Sequence, residues 1–443
     1  MYDPIVEPYP KSHQQYPDSY WAKSIEKFPE TTSLVNDIQA DIAIIGAGYT
    51  GLSSAYHLAK KYGKSVVVIE ANDPGWGCSG RNAGFVLPGT GRLSLLDMEQ
   101  KWGRETAQSV FQEYMESIDT VNDFIEQGNI DCDKTPGGYL KLAHKRAKVE
   151  GLRKQAEKLS ERYGESVKFV CSQEVNNAFL KSANMFGGIY FDKSFAVNPM
   201  KLVLGYYQMA TEAGVKVFSN SPVINWQQKT NHHCLYTQNG RVTAEKVIIA
   251  TNGYTGSKMH PLIANRHFPV LSSIIVTRPL KISELATIQL KAGLMAMDTR
   301  RMKYYYRLLP DNRILFGGRG AINGKKANNP INKKRLAQGL KNTFPVLDKI
   351  DIDHFWSGWV SASYDNYPRI NHSEDKSIHY SMGYCGSGLA FSTLAGKRLA
   401  QNICEPESLP NLPFWQSQLP KFPFSQFRRV GLSAYYALAS LRD

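Results

Sequence analysis

Residues 39–71 read QADIAIIGAGYTGLSSAYHLAKKYGKSVVVIEA, and this stretch decides the fold. Ala40 to Ile45 is a short apolar run rich in β-branched residues, the composition of a buried strand. Gly46-Ala47-Gly48-Tyr49-Thr50-Gly51 follows at once, and Leu52, Ala55, Tyr56, Leu58 and Ala59 then recur at helical spacing. Gly63 stops that helix, and Val66 to Ile69 form a second strand ending in Glu70. Strand, glycine turn, helix, strand and terminal acid make a dinucleotide-binding βαβ unit. Gly46 permits the tight turn, Gly48 lets the backbone approach a pyrophosphate, and Gly51 lets the helix sit close to the strand. The helix N-terminus offers free N–H groups and a positive dipole end to the same anion. Glu70 can accept hydrogen bonds from ribose hydroxyls and would repel a 2′-phosphate, which argues against NADP. The motif by itself leaves NAD and FAD both open.

The next stretch, Gly75-Trp76-Gly77-Cys78-Ser79-Gly80-Arg81-Asn82-Ala83-Gly84, is too rich in glycine for a helix or strand and suits close backbone approach to an extended ligand. The acid-terminated βαβ unit followed by Gly-x-Gly-x-Ser-Gly-Arg-Asn-x-Gly resembles the D-amino-acid-oxidase-type flavoproteins. The lead-in Ser19-Tyr20-Trp21-Ala22, the run GAGYTGLSSA and the Gly-Trp-Gly loop resemble most the gamma-glutamylputrescine-oxidase-like group of that family. The resemblance implies FAD, with Gly46, Gly48, Tyr49, Thr50, Gly51, Glu70 and Ala71 at its adenosine and pyrophosphate. It carries Gly77, Ser79, Gly80, Arg81, Asn82 and Gly84 over to the ribityl chain and flavin.

Further along, the resemblance implies that a residue near Val223 lies beside the adenine and that Ala250-Thr251-Asn252-Gly253 approaches the pyrophosphate. The turn Gly383-Tyr384-Cys385-Gly386-Ser387-Gly388-Leu389 then opens a helix to Ile403. In the family this turn and its helix dipole stand at the pyrimidine edge of the flavin, so Gly386, Ser387, Gly388 and Leu389 are carried over, with Gly358 beside them. This chain has Cys385 and Ser387 where many relatives have Ser and His, so only the backbone role transfers. None of the six cysteines stands where a covalent flavin link is expected, which predicts non-covalent FAD.

The implied fold is α/β: a discontinuous Rossmann-like FAD-binding domain with a second, antiparallel-sheet substrate domain. The expected boundaries are an N-terminal arm 1–35; FAD-binding segments 36–98, 195–264 and 352–408; substrate-domain segments 99–194 and 265–351; and a C-terminal tail 409–443. Asp97 to Gln127 reads as one helix with an apolar face through Phe111, Tyr114, Ile118, Val121 and Phe124. Tyr304 to Gly318 reads as a hairpin turning at Pro310-Asp311-Asn312. The resemblance places that sheet over the flavin.

At 443 residues, 42% hydrophobic and 21% charged, the composition is that of a globular enzyme with room for two full cores. No apolar run reaches bilayer length, and the N-terminus has no apolar h-region, so a cytoplasmic protein is expected. Scattered cysteines without CxxC or His/Cys spacing predict reduced thiols and no metal. The net charge of +14 suits FAD phosphates or an acidic membrane surface, and no nucleic-acid motif accompanies it. The tail carries Phe424, Phe427, Val430, Leu432, Tyr435, Tyr436 and Leu438 among Arg428, Arg429 and Arg442, a pattern suited to docking on the protein's own surface or to peripheral membrane contact.

The expected chemistry is oxidation of a C–N bond in a small-molecule amine or amino acid, gamma-glutamylputrescine-like by resemblance. Hydride passes to flavin N5, the imine hydrolyses, and electrons go to O2 or another acceptor. Tyr305, Arg307 and Trp359 are expected near the substrate, with Arg307 as carboxylate anchor or, equally, as an internal partner holding the sheet. Two rival readings stand beside this one: a dehydrogenase of the same fold that feeds a membrane quinone, and a non-catalytic or nucleic-acid-modifying flavoprotein.

Overall fold

A computed structural model describes residues 1–164, 166–183 and 185–442. Asp443 of the expected tail, and Glu165 and Asn184 of the expected substrate domain, lie outside the described residues. The glycine motif folds as its spacing dictates: β1 (Ile38–Ile45), α1 (Tyr49–Lys60) and β2 (Val66–Ile69). β1 pairs in parallel with β2 through Ile42↔Val66 and Ile45↔Ile69. All four β2 side chains are buried, as expected of a parallel strand covered on both faces.

An eight-stranded sheet grows around this unit in the order Asn225–Gln228, His233–Tyr236, Arg241–Ile249, β1, β2 and Lys216–Phe218. Ile378–Met382 also pairs in parallel with Arg241–Ile249 and carries Arg369–His372 on its other side. The helix Leu389–Cys404 packs against α1, where a Cβ on Gly396 would stand 2.6 Å from that of Ser53. A second eight-stranded sheet runs Ile352–Ala362, Phe268–Thr277, Ile314–Arg319, Tyr305–Leu308, Met295–Asp298, Tyr139–Leu142, Gly187–Phe191 and Val167–Cys171. It departs from the expected antiparallel pattern once, where Met295–Asp298 pairs in parallel with Tyr139–Leu142.

Two segments fall across the expected boundaries. Ile352–Ala362 belongs to the second sheet, paired with Phe268–Thr277 from Phe268↔Ala362 to Thr277↔Ile352. The helix read at 97–127 is broken at Gly103 (φ +84°) into Leu95–Trp102 and Arg104–Gln127. The longer piece packs on the helices of the first sheet, burying Tyr114, Ile118, Val121 and Phe124 with Tyr206 and Phe391. A two-pronged ion pair ties it there, Arg398 Nε and Nη2 to Glu113 at 2.6 and 2.9 Å.

The N-terminal arm runs extended over the first sheet. His13 N–H donates to Asn220 Oδ1 (2.9 Å), Gln14 N–H to Asn72 Oδ1 (2.7 Å) and Tyr16 OH to the Pro74 carbonyl (2.7 Å). The tail ends in the helix Arg428–Arg442, which docks on the protein through Arg429 and Tyr436. No helix among the described residues is long and apolar enough to cross a membrane.

Candidate active site

A cavity of about 460 Å³ runs between the two sheets, from Val223 and Tyr9 at one end to Tyr305 and Tyr436 at the other. Its first part is the glycine motif. Gly46 holds φ +108°, and a Cβ there would stand 3.0 Å from the Ala250 carbonyl oxygen. A Cβ on Gly48 would come within 2.7 Å of Ser79 Oγ, so the missing side chain leaves open a cradle bounded by Gly46, Tyr49 and Thr50. Gly51 is off the cavity: a Cβ there would meet the Gly46 oxygen at 1.9 Å, so its absence lets α1 close on β1. Gly48 caps α1 without a side-chain bond, and Ser79 Oγ takes the Tyr49 N–H at 3.1 Å.

Glu70 and Ala71 line the cavity just past β2. Glu70 Oε2 accepts from Ala47 N–H (2.8 Å) and Oε1 from Asn72 N–H (3.1 Å), so the acid stitches the glycine turn to the strand end while it faces the cavity. Burial pushes its carboxyl above the usual carboxylate range, and these N–H donors pull the other way.

The glycine-rich loop forms one wall through Gly77, Cys78, Ser79, Arg81 and Asn82. Arg81 Nε donates to the Trp76 carbonyl (2.7 Å), and its guanidinium stacks 4.6 Å from the Trp76 ring. Asn82 holds the loop shape, accepting from Gly84 N–H at 2.8 Å and donating to the Ser79 carbonyl at 2.9 Å. Gly80 and Gly84 stand behind this wall. A Cβ on Gly80 would strike the Gly75 carbonyl at 2.5 Å, and one on Gly84 the Val197 carbonyl at 2.0 Å. Val223, Ala250, Thr251, Asn252 and Gly253 line the floor, and Gly358, Gly386, Ser387, Gly388 and Leu389 the far side. Gly388 starts its helix without a side-chain cap, which leaves backbone N–H groups at the cavity.

Of the three residues expected at the substrate, only Tyr305 lines the cavity. Its hydroxyl shares a 2.7 Å hydrogen bond with Ser272 Oγ, and burial pushes the phenol far above its ordinary value, so it remains a neutral hydroxyl. Trp359 is turned away: it is fully buried with Tyr2, Trp76 and Leu271, and its Nε1 donates to the Tyr2 carbonyl at 2.8 Å. One register step separates it from Gly358 and Val360, which do face the cavity. Arg307 is off the cavity as well, 3% exposed, with its guanidinium 5.1 Å from the Trp21 ring and Nη2 donating to the Val197 carbonyl at 2.7 Å. Its Nε has no partner. Burial disfavours its charge, with Tyr20 and Asp133 the nearby groups that favour it. Arg313, on the same hairpin, is held by Asp311 and Asp353.

The cations that do line the Tyr305 end are Arg92, Lys303 and the half-buried Arg319, with Arg301 beside them. Among the described residues, Glu70 is the one carboxylate in the lining, and it lies at the opposite end. Arg319 sits on Ile314–Arg319, opposite Ser272, which bonds Tyr305. A single sequence hides these cations among ordinary surface charges. Tyr435 and Tyr436 of the tail helix also line this end, although their spacing reads only as amphipathic.

The cavity fits FAD on its own geometry: a cradle left open by Gly48, which caps its helix N-terminus without a side chain, an acid at the end of β2, and an elongated continuation to a second sheet. Comparison with known proteins agrees. The model of the family described as "DAO: FAD dependent oxidoreductase" matches residues 41–402. The chain is 32% identical to gamma-glutamylputrescine oxidoreductase of Escherichia coli (strain K12) over 437 residues, covering 97% of this chain and 99% of that protein. It is 22% identical to glycine oxidase of Bacillus subtilis (strain 168), over 83% of this chain and 94% of that one. Among solved structures, glycine oxidase from Geobacillus kaustophilus superposes with a TM-score of 0.71 at 18% identity, covering 87% of this chain and 99% of that chain, a likeness of fold.

Proposed function

The chain belongs to the DAO family of FAD dependent oxidoreductases, and on that premise we propose that it oxidises the C–N bond of an amine that also carries a carboxylate. FAD, when bound, supplies the hydride acceptor for such oxidations. The single observation that carries the substrate reading is the charge of the lining: Arg92, Lys303 and Arg319 at the substrate end, with no carboxylate among the described lining residues there to receive a second ammonium group. A plain diamine finds no counter-ion there, whereas a carboxylate finds several. The relative named for gamma-glutamylputrescine acts, by its name, on an amine of this kind.

The chain's own residues bind, orient and exclude water. Arg319 offers its guanidinium to the carboxylate. Tyr305, neutral and fixed by Ser272, offers an orienting hydroxyl on the same sheet. The substrate amine must enter as the free base so that its lone pair assists loss of hydride from the adjacent carbon. The other products are a proton and an imine, which water hydrolyses to a carbonyl compound and an amine. No histidine and no carboxylate lines this end among the described residues, so the ammonium proton is lost to solvent before hydride transfer and the iminium proton to solvent after it.

The test is anaerobic bleaching of the bound flavin against polyamines, their gamma-glutamyl derivatives, N-methyl amino acids and D-amino acids. Bleaching by carboxylate-bearing amines and not by plain diamines is expected; the reverse order would sink this reading. Acid precipitation should release the yellow colour into the supernatant as FAD, since none of the cysteines is read as a flavin link. Colour retained on the precipitated protein would refute that. Under air, hydrogen peroxide is expected in step with amine consumed. Bleaching without peroxide, relieved by an added quinone, would favour the dehydrogenase reading, which the exposed apolar residues Phe424, Phe427, Val430 and Leu438 of the tail support.

A further inference from the structure

The family match spans residues 41–402, yet the chain outside it reaches the cavity at both ends. Tyr9 and Pro10 of the arm close one end, and Tyr435 and Tyr436 of the tail helix border the other. The tail is fastened. Arg429 pairs with Asp3 of the arm, and Asp3 Oδ2 accepts the Gly324 N–H at 2.9 Å. Arg428 Nη1 donates to the His267 carbonyl at 2.7 Å. Two turns on, the Tyr436 ring covers the Arg319 guanidinium at 4.8 Å, and Ala439 is fully buried beyond it. The helix therefore lies across the half-buried cation of the substrate end, and its attachment runs through the other terminus.

We propose that Tyr435 and Tyr436 are specificity-determining residues: the tail helix is the outer wall of the substrate end, latched by Asp3–Arg429, and encloses the carboxylate end of the substrate against Arg319. The substrate class rests on the function proposed above; the wall does not. Tyr436 holds Arg319 through its ring face, an attraction that strengthens when water is excluded, so a carboxylate arriving at Arg319 meets a guanidinium already oriented and shielded. Removing the ring leaves Arg319 mobile and hydrated.

The experiment compares Tyr436→Ala and Tyr436→Phe with the wild-type holoenzyme in two assays. The first is acrylamide quenching of bound-flavin fluorescence without substrate, which reports access through the wall. The second is the kinetics of gamma-glutamylputrescine against putrescine. Tyr436→Ala is expected to raise the quenching constant several-fold and the KM for gamma-glutamylputrescine about ten-fold, with kcat falling less than KM rises. Tyr436→Phe, which keeps the ring, should match wild type in both assays. Asp3→Asn should raise quenching in the same direction by loosening the latch. Unchanged quenching in Tyr436→Ala overturns the wall whatever the substrate is. Raised quenching with an unchanged KM overturns the specificity role. If wild type oxidises neither amine, the substrate reading fails, and the quenching assay still decides the wall.

Discussion

Gly48→Val is expected to purify without yellow colour. A Cβ at this position already stands 2.7 Å from Ser79 Oγ, the atom that takes the Tyr49 N–H and orders the first turn of α1. The two methyl groups of valine must then project either into Ser79 or into the cradle beside Gly46 and Thr50. The first choice breaks the N–H arrangement that favours an anion, and the second fills the anion's place. Flavin affinity should fall at least about a hundred-fold, roughly 2.7 kcal/mol. Flavin content per protein, read from absorbance after dialysis, measures the loss. A circular-dichroism melt on the same sample, compared with Gly48→Ala, separates lost binding from lost folding. Full flavin occupancy in a folded Gly48→Val protein would mean that the turn does not cradle the pyrophosphate.

A second large effect is expected at Arg319 and not at Arg307. Arg319→Ala removes the half-buried guanidinium from the substrate end of the cavity. A lost charge-assisted contact is worth about 1.5–3 kcal/mol, so the KM for a carboxylate-bearing amine should rise roughly ten- to a hundred-fold, while a plain diamine is barely affected. Arg307→Ala acts elsewhere. It empties the space over Trp21 and leaves the Val197 carbonyl without its donor, costing about 1–3 kcal/mol of stability with both amines affected alike. Steady-state kinetics with the two amines and a thermal melt of each variant discriminate the two cases. A selective KM effect at Arg307, with none at Arg319, would return the anchor to Arg307.

What the sequence determines by itself is local. The GAGYTG turn, its helix and the Glu70 strand fold as read, because each part is fixed by contacts within some thirty residues: a positive φ at Gly46, no room for a Cβ at Gly51, an uncapped helix start at Gly48. The glycine-rich loop and the turn before Leu389 were legible for the same reason, since absent side chains and helix starts leave a trace in the sequence itself. The hairpin turn at Pro310-Asp311-Asn312 also stands, with Asn312 at φ +63° and Leu309 N–H donating to Arg313 O at 2.8 Å. The sheet residues were not legible in this way. Ile352–Ala362 buries residues on both of its faces, so apolar content does not say which side a residue takes, and one register step turns Trp359 into the core while Gly358 and Val360 meet the cavity. Arg307 shares a strand with Tyr305 but lies two residues farther along, where the strand runs beneath Trp21 from the N-terminal arm. Arg319 gained its place from strand pairing, and Tyr436 from a helix more than a hundred residues later in the chain. Short-range backbone geometry fixed the nucleotide cradle, whereas the identity of the substrate end depends on long-range pairing and helix docking, which only the folded chain brings together.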